Sequence, residues 1–132
     1  MKVFLSHGAH DAWIARQMAR RIEECGAETF LDVNDIETGD EWRSRIKAEI
    51  IGSDELVALL TPFSRRRSWL WNEIGVAWGH EKRIVAITYG MTMADLDNAD
   101  GGGRGVLEGY QFRSLNDFDT YVDELRERVP NG

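Results

Sequence analysis

The sequence has a single cysteine, Cys25, so no disulfide can form within the chain and a Cys-rich zinc site is excluded. No apolar run approaches the roughly 20 residues that a membrane-crossing helix needs. After Met1, the stretch Lys2-Val3-Phe4-Leu5 is too short for the apolar region of a signal peptide. Positive charge is in deficit: 16 Lys and Arg against 23 Asp and Glu give a net charge of −7. A domain with that balance repels nucleic acid and anionic membranes, so neither is expected as a partner of the domain by itself. Together these absences predict a cytoplasmic protein. The chain has 132 residues, enough for one ordinary core, and reads as a single domain over 1–132. Its hydrophobic share of 42% and charged share of 30% are those of a folded globule.

What is present is an alternation of short apolar runs and helical periods. Val3-Phe4-Leu5 predicts a buried strand, closed by Ser6-His7-Gly8. Ile14, Met18 and Ile22 share one helix face over Ala12 to Cys25, with Asp11 as a candidate N-cap and Gly26 as the residue past the C-terminus. Thr29-Phe30-Leu31 is a second strand, followed by a long polar loop from Asp32 to Asp40. Trp42, Ile46 and Ile50 mark a second helix. Glu55 to Thr61 is a third strand, stopped by Pro62, and Trp69 to Trp78 is apolar nearly all round and reads as a buried helix. Arg83 to Tyr89 is a fourth strand. Gly90 to Gly109 lacks periodicity and reads as a loop with at most a short irregular helix. A fifth edge strand is placed at Gly109-Tyr110-Gln111-Phe112. A last helix carries Leu115, Phe118, Val122 and Leu125 and ends at Pro130.

Strands alternating with helices imply right-handed crossovers and a parallel sheet covered on both faces. Five such units predict an α/β fold, a flavodoxin-like doubly wound five-stranded parallel sheet of order 2-1-3-4-5. A crevice then forms beyond the C-terminal ends of strands 1 and 3. Ser6-His7-Gly8 and Thr61-Pro62 lie there, and the helix bearing Trp69 and Glu73 starts at the same edge.

Trp69 and Glu73 are four residues apart and so share a helix face. An aromatic surface beside one carboxylate suits a ring-bearing ligand with a reacting sugar; equally, Trp69 could be core and Glu73 a solvated charge. The apolar surroundings of Glu73 favour a carboxylate that is paired, ligand-facing or shifted in pKa, and both readings stay open. His7 and His10 have no further Cys/His cluster to complete a metal site, and read as polar lining of the strand exit. The acidic run from Asp32 to Glu37 fails as a calcium loop, because Ile36 stands where a ligand is needed and Glu37 where glycine is. Arg65-Arg66-Arg67 could contact a phosphate or form a solvated basic turn. The glycines at 101–105 neither follow a clear strand nor open a helix, so they form no dinucleotide fingerprint. Cys25 reads as structural. A phosphoacceptor receiver is excluded, since the strand exits lack its carboxylates, and no phosphate loop follows strand 1 as a flavodoxin requires.

Taken together, the segments resemble the bacterial branch of the TIR (Toll/interleukin-1 receptor) domain family. Val3-Phe4-Leu5-Ser6-His7 is similar to its first box, and Phe30-Leu31-Asp32 with Val33 to Gly39 to its second strand and long loop. Gly39, Trp42, Ile46, Ile50 and Ser53 match the spacing of its second helix. Trp69-Leu70-Trp71-Asn72-Glu73 resembles the W-x-x-x-E segment of the enzymatic members, with Leu70 where many carry Cys. The resemblance implies an NAD⁺ nucleosidase that releases nicotinamide and gives ADP-ribose or a cyclic or isomeric form, in bacterial defence signalling. It implies a catalytic Glu73, and substrate contacts from Ser6, His7, Gly8, Glu37, Trp42 and Trp69. NAD⁺ would be substrate; no cofactor or metal is expected. Partners would be further copies, engaged through the 33–40 loop, and a signalling or effector protein. The alternative is a non-catalytic TIR adaptor that acts by homotypic assembly.

Overall fold

A computed structural model describes residues 1–31, 39–92, 95 and 112–130. Among these residues, five strands form one parallel sheet: β1 (Lys2–Ser6), β2 (Glu28–Leu31), β3 (Glu55–Leu60), β4 (Arg83–Thr88) and β5 (Phe112–Ser114). The strand order is β2-β1-β3-β4-β5, as expected, with β1 interior and β3 in the middle. The α-helices with described bounds are α1 (Ala12–Glu24), α2 (Gly39–Ile51), α3 (Ser68–Gly79) and α4 (Phe118–Arg128).

Strand parity decides which side chains meet which helices. Val3, Leu5, Val57 and Leu59 point to the face covered by α1 and α4, where they join Met18, Ile22, Tyr121 and Leu125. Phe4, Leu56, Ala58 and Leu60 point to the opposite face, against Ile46, Ile50, Leu70 and Ile74 of α2 and α3. Coverage on both sides explains why β3 is buried at every position and why its sequence is continuously apolar after Glu55. The register pairs Ser6 with Ala58 and Leu60 with Thr88, which brings the C-terminal ends of β1, β3 and β4 to one edge.

Three expectations need correction. The helix α3 is not buried all round. Its core side is Leu70, Glu73, Ile74 and Ala77, at helical spacing, whereas Trp78 is 56% exposed. An apolar ring outnumbering its neighbours does not bury itself when only one face meets the sheet. The fifth strand starts at Phe112 rather than ending there. Asp11 precedes α1, but its side chain makes no capping bond. The Gly90–Gly109 reading falls mostly outside the described residues. Gly26 follows α1 with φ +93°, the left-handed conformation that ends helices and that glycine adopts without strain.

Candidate active site

Ser6 has the parity of Phe4, so its hydroxyl points to the α3 face. Glu73 occupies a core-facing position of α3, between Leu70 and Ala77. The two meet: Ser6 Oγ donates to Glu73 Oε1 at 2.6 Å. Ser6 is 0% and Glu73 2% exposed. A carboxylate taken out of water needs donors to offset its lost hydration, and a serine hydroxyl at this distance supplies one. Glu73 is therefore not a solvated helix charge.

Thr61, one residue past β3, has the parity of Leu59 and points the other way, toward the start of α1. There Thr61 Oγ1 donates to Asp11 Oδ2 at 2.6 Å. The same Oγ1 accepts from the backbone N–H groups of Ser64 at 3.1 Å and Phe63 at 3.3 Å. Ser64 Oγ donates to the Leu59 carbonyl at 2.8 Å and accepts from the Thr61 N–H at 2.9 Å. Asp11, Thr61 and Ser64 are all buried, and their bonds fasten the exit of β1 to the exit of β3. This network replaces the helix cap expected of Asp11. Sequence reasoning missed Thr61 and Ser64 as members of it; the alternation along β3, continued to position 61, was the available signal.

His7 and Gly8 are buried between these two anchor points. A Cβ at Gly8 would lie 3.3 Å from Ser64 Cβ and 3.4 Å from Arg67 Cδ, so the loop packs closely on the start of α3. Trp69 is half-buried, packed against the Phe4 side of the core, and the Arg43 guanidinium of α2 sits 6.0 Å from its ring centroid. Thus the structure brings Ser6 and Glu73 into contact, with His7 and Gly8 on the loop that leaves Ser6 and Trp69 one turn before Glu73. Glu37 lies outside the described residues, and of Trp42 the structure describes only the backbone, in α2.

Arg65 is partly engaged in local structure. Its carbonyl accepts from the Trp71 indole N–H at 2.8 Å, and its guanidinium donates to the Asp95 carbonyl at 2.7 Å. A hydrogen bond from the Thr92 backbone N–H holds the Asp95 carboxyl below the usual carboxylate range. No group of three or more His, Cys, Asp or Glu that could hold a metal ion is found among the described residues.

A buried carboxylate that accepts from a serine hydroxyl, one turn from an aromatic ring, is suited to stabilising positive charge that develops on a bound sugar. The folds that share this frame give it context. The Hydra magnipapillata TIR domain of the Toll-related receptor TRR-2 matches with TM-score 0.64 at 17% identity, over 96% of this chain and 91% of that one. A Clostridium botulinum CMP N-glycosidase, BcmB, matches with TM-score 0.64 at 17% identity, over 95% and 98%. The TIR domains of the activated Roq1 resistosome, which recognises the pathogen effector XopQ, match with TM-score 0.60 at 21% identity, over 96% and 79%. No match is found among curated proteins. A family model described as TIR domain matches residues 3–127, nearly the whole chain, and the chain belongs to the TIR domain family.

Proposed function

We propose that this TIR domain is an NAD⁺ nucleosidase that breaks the nicotinamide–ribose bond, with Glu73 as the catalytic carboxylate. The observation that carries the reading is the buried Ser6–Glu73 pair at the sheet edge. Many glycosidases use two carboxylates because a poor leaving group must be protonated. Nicotinamide is cationic in NAD⁺ and leaves neutral, so one carboxylate suffices. As the C–N bond breaks, the electron pair goes to nicotinamide and positive charge moves to the ribose, where Glu73 stabilises it. Attack by water then gives ADP-ribose and a proton; attack by a nucleophile of the substrate itself gives a cyclic or isomeric product. Exclusion of water favours the second course.

Ser6 holds the carboxylate, His7 and Gly8 line the approach, and Trp69 offers a ring surface; Glu37 and Trp42 are proposed as further substrate contacts. The name of the CMP N-glycosidase supports the bond class, since it too cleaves a base from a sugar on this fold. The Roq1 assembly supports a role in defence signalling and self-association, which we place in the 33–40 loop with a signalling or effector protein as the further partner. A cytoplasmic location fits that role; no described helix is long and apolar enough to cross a membrane.

The test is incubation of the purified protein at high concentration with NAD⁺ and, separately, with CMP, followed by chromatography. Release of nicotinamide from NAD⁺ is expected, lost in Glu73→Gln. Cytosine release alone would redirect the substrate assignment. No product from either, with assembly intact in Glu73→Gln, would support the adaptor reading.

A further inference from the structure

One aromatic pair at the same sheet edge has no part in the chemistry above. The rings of His10 and Phe63 stack with centroids 4.6 Å apart and planes 21° apart. Phe63 is nevertheless 57% exposed, so the imidazole covers one side and much of the phenyl surface remains open. A phenylalanine left open on a loop loses the benefit of burial, and a loop of ordinary mobility would let it fold away. Here it is held. The Phe63 N–H bonds to Thr61 Oγ1, Thr61 bonds to Asp11, and the Asp11 N–H bonds to the Gly8 carbonyl at 3.0 Å. His10 belongs to the turn Ala9–Asp11, so one network anchors the backbone that carries both rings, and the rings hold each other by stacking. The result is a preorganised slab, and preorganisation lowers the cost of binding a flat partner.

Its position limits what that partner is. His10 is four residues beyond Ser6, which places it about 14 Å away at most, by the reach of an extended chain. Trp69 lies on the α3 side of the strand exits and the His10–Phe63 slab on the α1 side, where Thr61 meets Asp11. The strand exits thus carry an aromatic surface on each side, Trp69 with the carboxylate on one and the His10–Phe63 pair on the other. A mononucleotide has one base to stack; a dinucleotide has two.

We propose that the His10–Phe63 pair is the stacking platform for the base distal to the cleaved bond, which is adenine when the substrate is NAD⁺. The assignment rests on the dinucleotide-cleaving reading and adds specificity residues to it. Base stacking on an aromatic side chain is sequence-tolerant and strong enough to read by single substitution.

The experiment is calorimetric titration of wild type, Phe63→Ala and Phe63→Trp with NAD⁺, nicotinamide mononucleotide and AMP, all three proteins also carrying Glu73→Gln to prevent turnover. Phe63 is exposed, so its replacement leaves the core untouched. Phe63→Ala is expected to weaken NAD⁺ and AMP roughly 5- to 150-fold, with nicotinamide mononucleotide unchanged and Phe63→Trp restoring affinity. Equal losses for NAD⁺ and the mononucleotide, unchanged affinity for NAD⁺, or failure of all three ligands to bind would each overturn the platform. Cleavage assays on proteins that retain Glu73 separate the two ideas. Turnover of NAD⁺ with no Phe63 effect removes the platform and keeps the activity; Phe63-dependent AMP binding without turnover does the reverse.

Discussion

Ser6 and Glu73, 67 residues apart in sequence, share a 2.6 Å hydrogen bond with both side chains buried. The bond couples the end of an interior strand to the second turn of a helix, so strand placement sets carboxylate orientation. Glu73→Gln keeps the shape and removes the charge, and is expected to lower turnover by about a hundredfold or more. Ser6→Ala removes the serine donor and leaves the carboxylate in place. Its kcat should fall by roughly 10-fold or more, as a lost hydrogen bond to a charged group implies, with KM changed little. Equal losses in kcat and in folded fraction, measured by circular dichroism, would assign Ser6 a structural role instead.

The fold was legible because the inner strands β1, β3 and β4 are written largely as apolar runs and α1, α2 and α4 carry apolar residues at helical spacing. Glu73 was legible for a related reason: it falls in the spacing of Leu70, Ile74 and Ala77, where a charge needs an explanation. Asp11 was misread because a residue at a helix start satisfies the cap pattern whether its carboxylate turns to its own helix or to another strand. Only the position of Thr61 decides between them, and that contact spans 50 residues. The burial of Trp78 was overestimated because composition does not report how many faces of a helix meet a partner.

The Asp11–Thr61 bond gives a stability prediction. Thr61→Val keeps the volume but leaves the buried Asp11 carboxylate and the Ser64 N–H without that hydroxyl. The loss expected is about 1–3 kcal/mol, read as a lower urea midpoint with an unchanged slope. Asp11→Ala introduced into Thr61→Val should cost less than Asp11→Ala alone, because the two belong to one network. Additive losses would show that the sites are independent.

Gly26 tests the helix end. At φ +93° a side chain is strained, although the nearest atom to a Cβ there is 3.6 Å away, on Val129. Gly26→Ala is therefore expected to destabilise by about 1 kcal/mol through backbone conformation rather than crowding. Gly26→Asn should recover part of the loss, since Asn tolerates this conformation. Similar stabilities for glycine and alanine in thermal melts would argue that α1 ends differently in solution.

The end of the sheet opposite the candidate site carries a buried carboxylate of another kind. Glu55 opens β3 with the parity of Val57, so it points to α4, where Arg128 donates to both of its oxygens at 3.1 and 3.2 Å. The Tyr121 hydroxyl donates to the same carboxylate at 3.3 Å. Burial pushes the Tyr121 phenol well above its usual 10.0; the adjacent Glu55 charge adds to the rise and Arg128 opposes it. Between pH 10 and the raised value, the unfolded chain loses this proton while the folded chain keeps it. The contribution to stability is complete below pH 10 and declines above it, with a slope of about 1.4 kcal/mol per pH unit for one proton. Tyr121→Phe lacks the phenol, so it should be less stable than wild type at pH 8, where the hydrogen bond to Glu55 is lost. Above pH 10 its stability should fall less steeply, and the two curves should converge. Urea titrations at pH 8, 9, 10 and 11 check this, because the other titrating groups are common to both proteins. Parallel curves through pH 11 would mean that the folded state releases this proton as readily as the unfolded chain does.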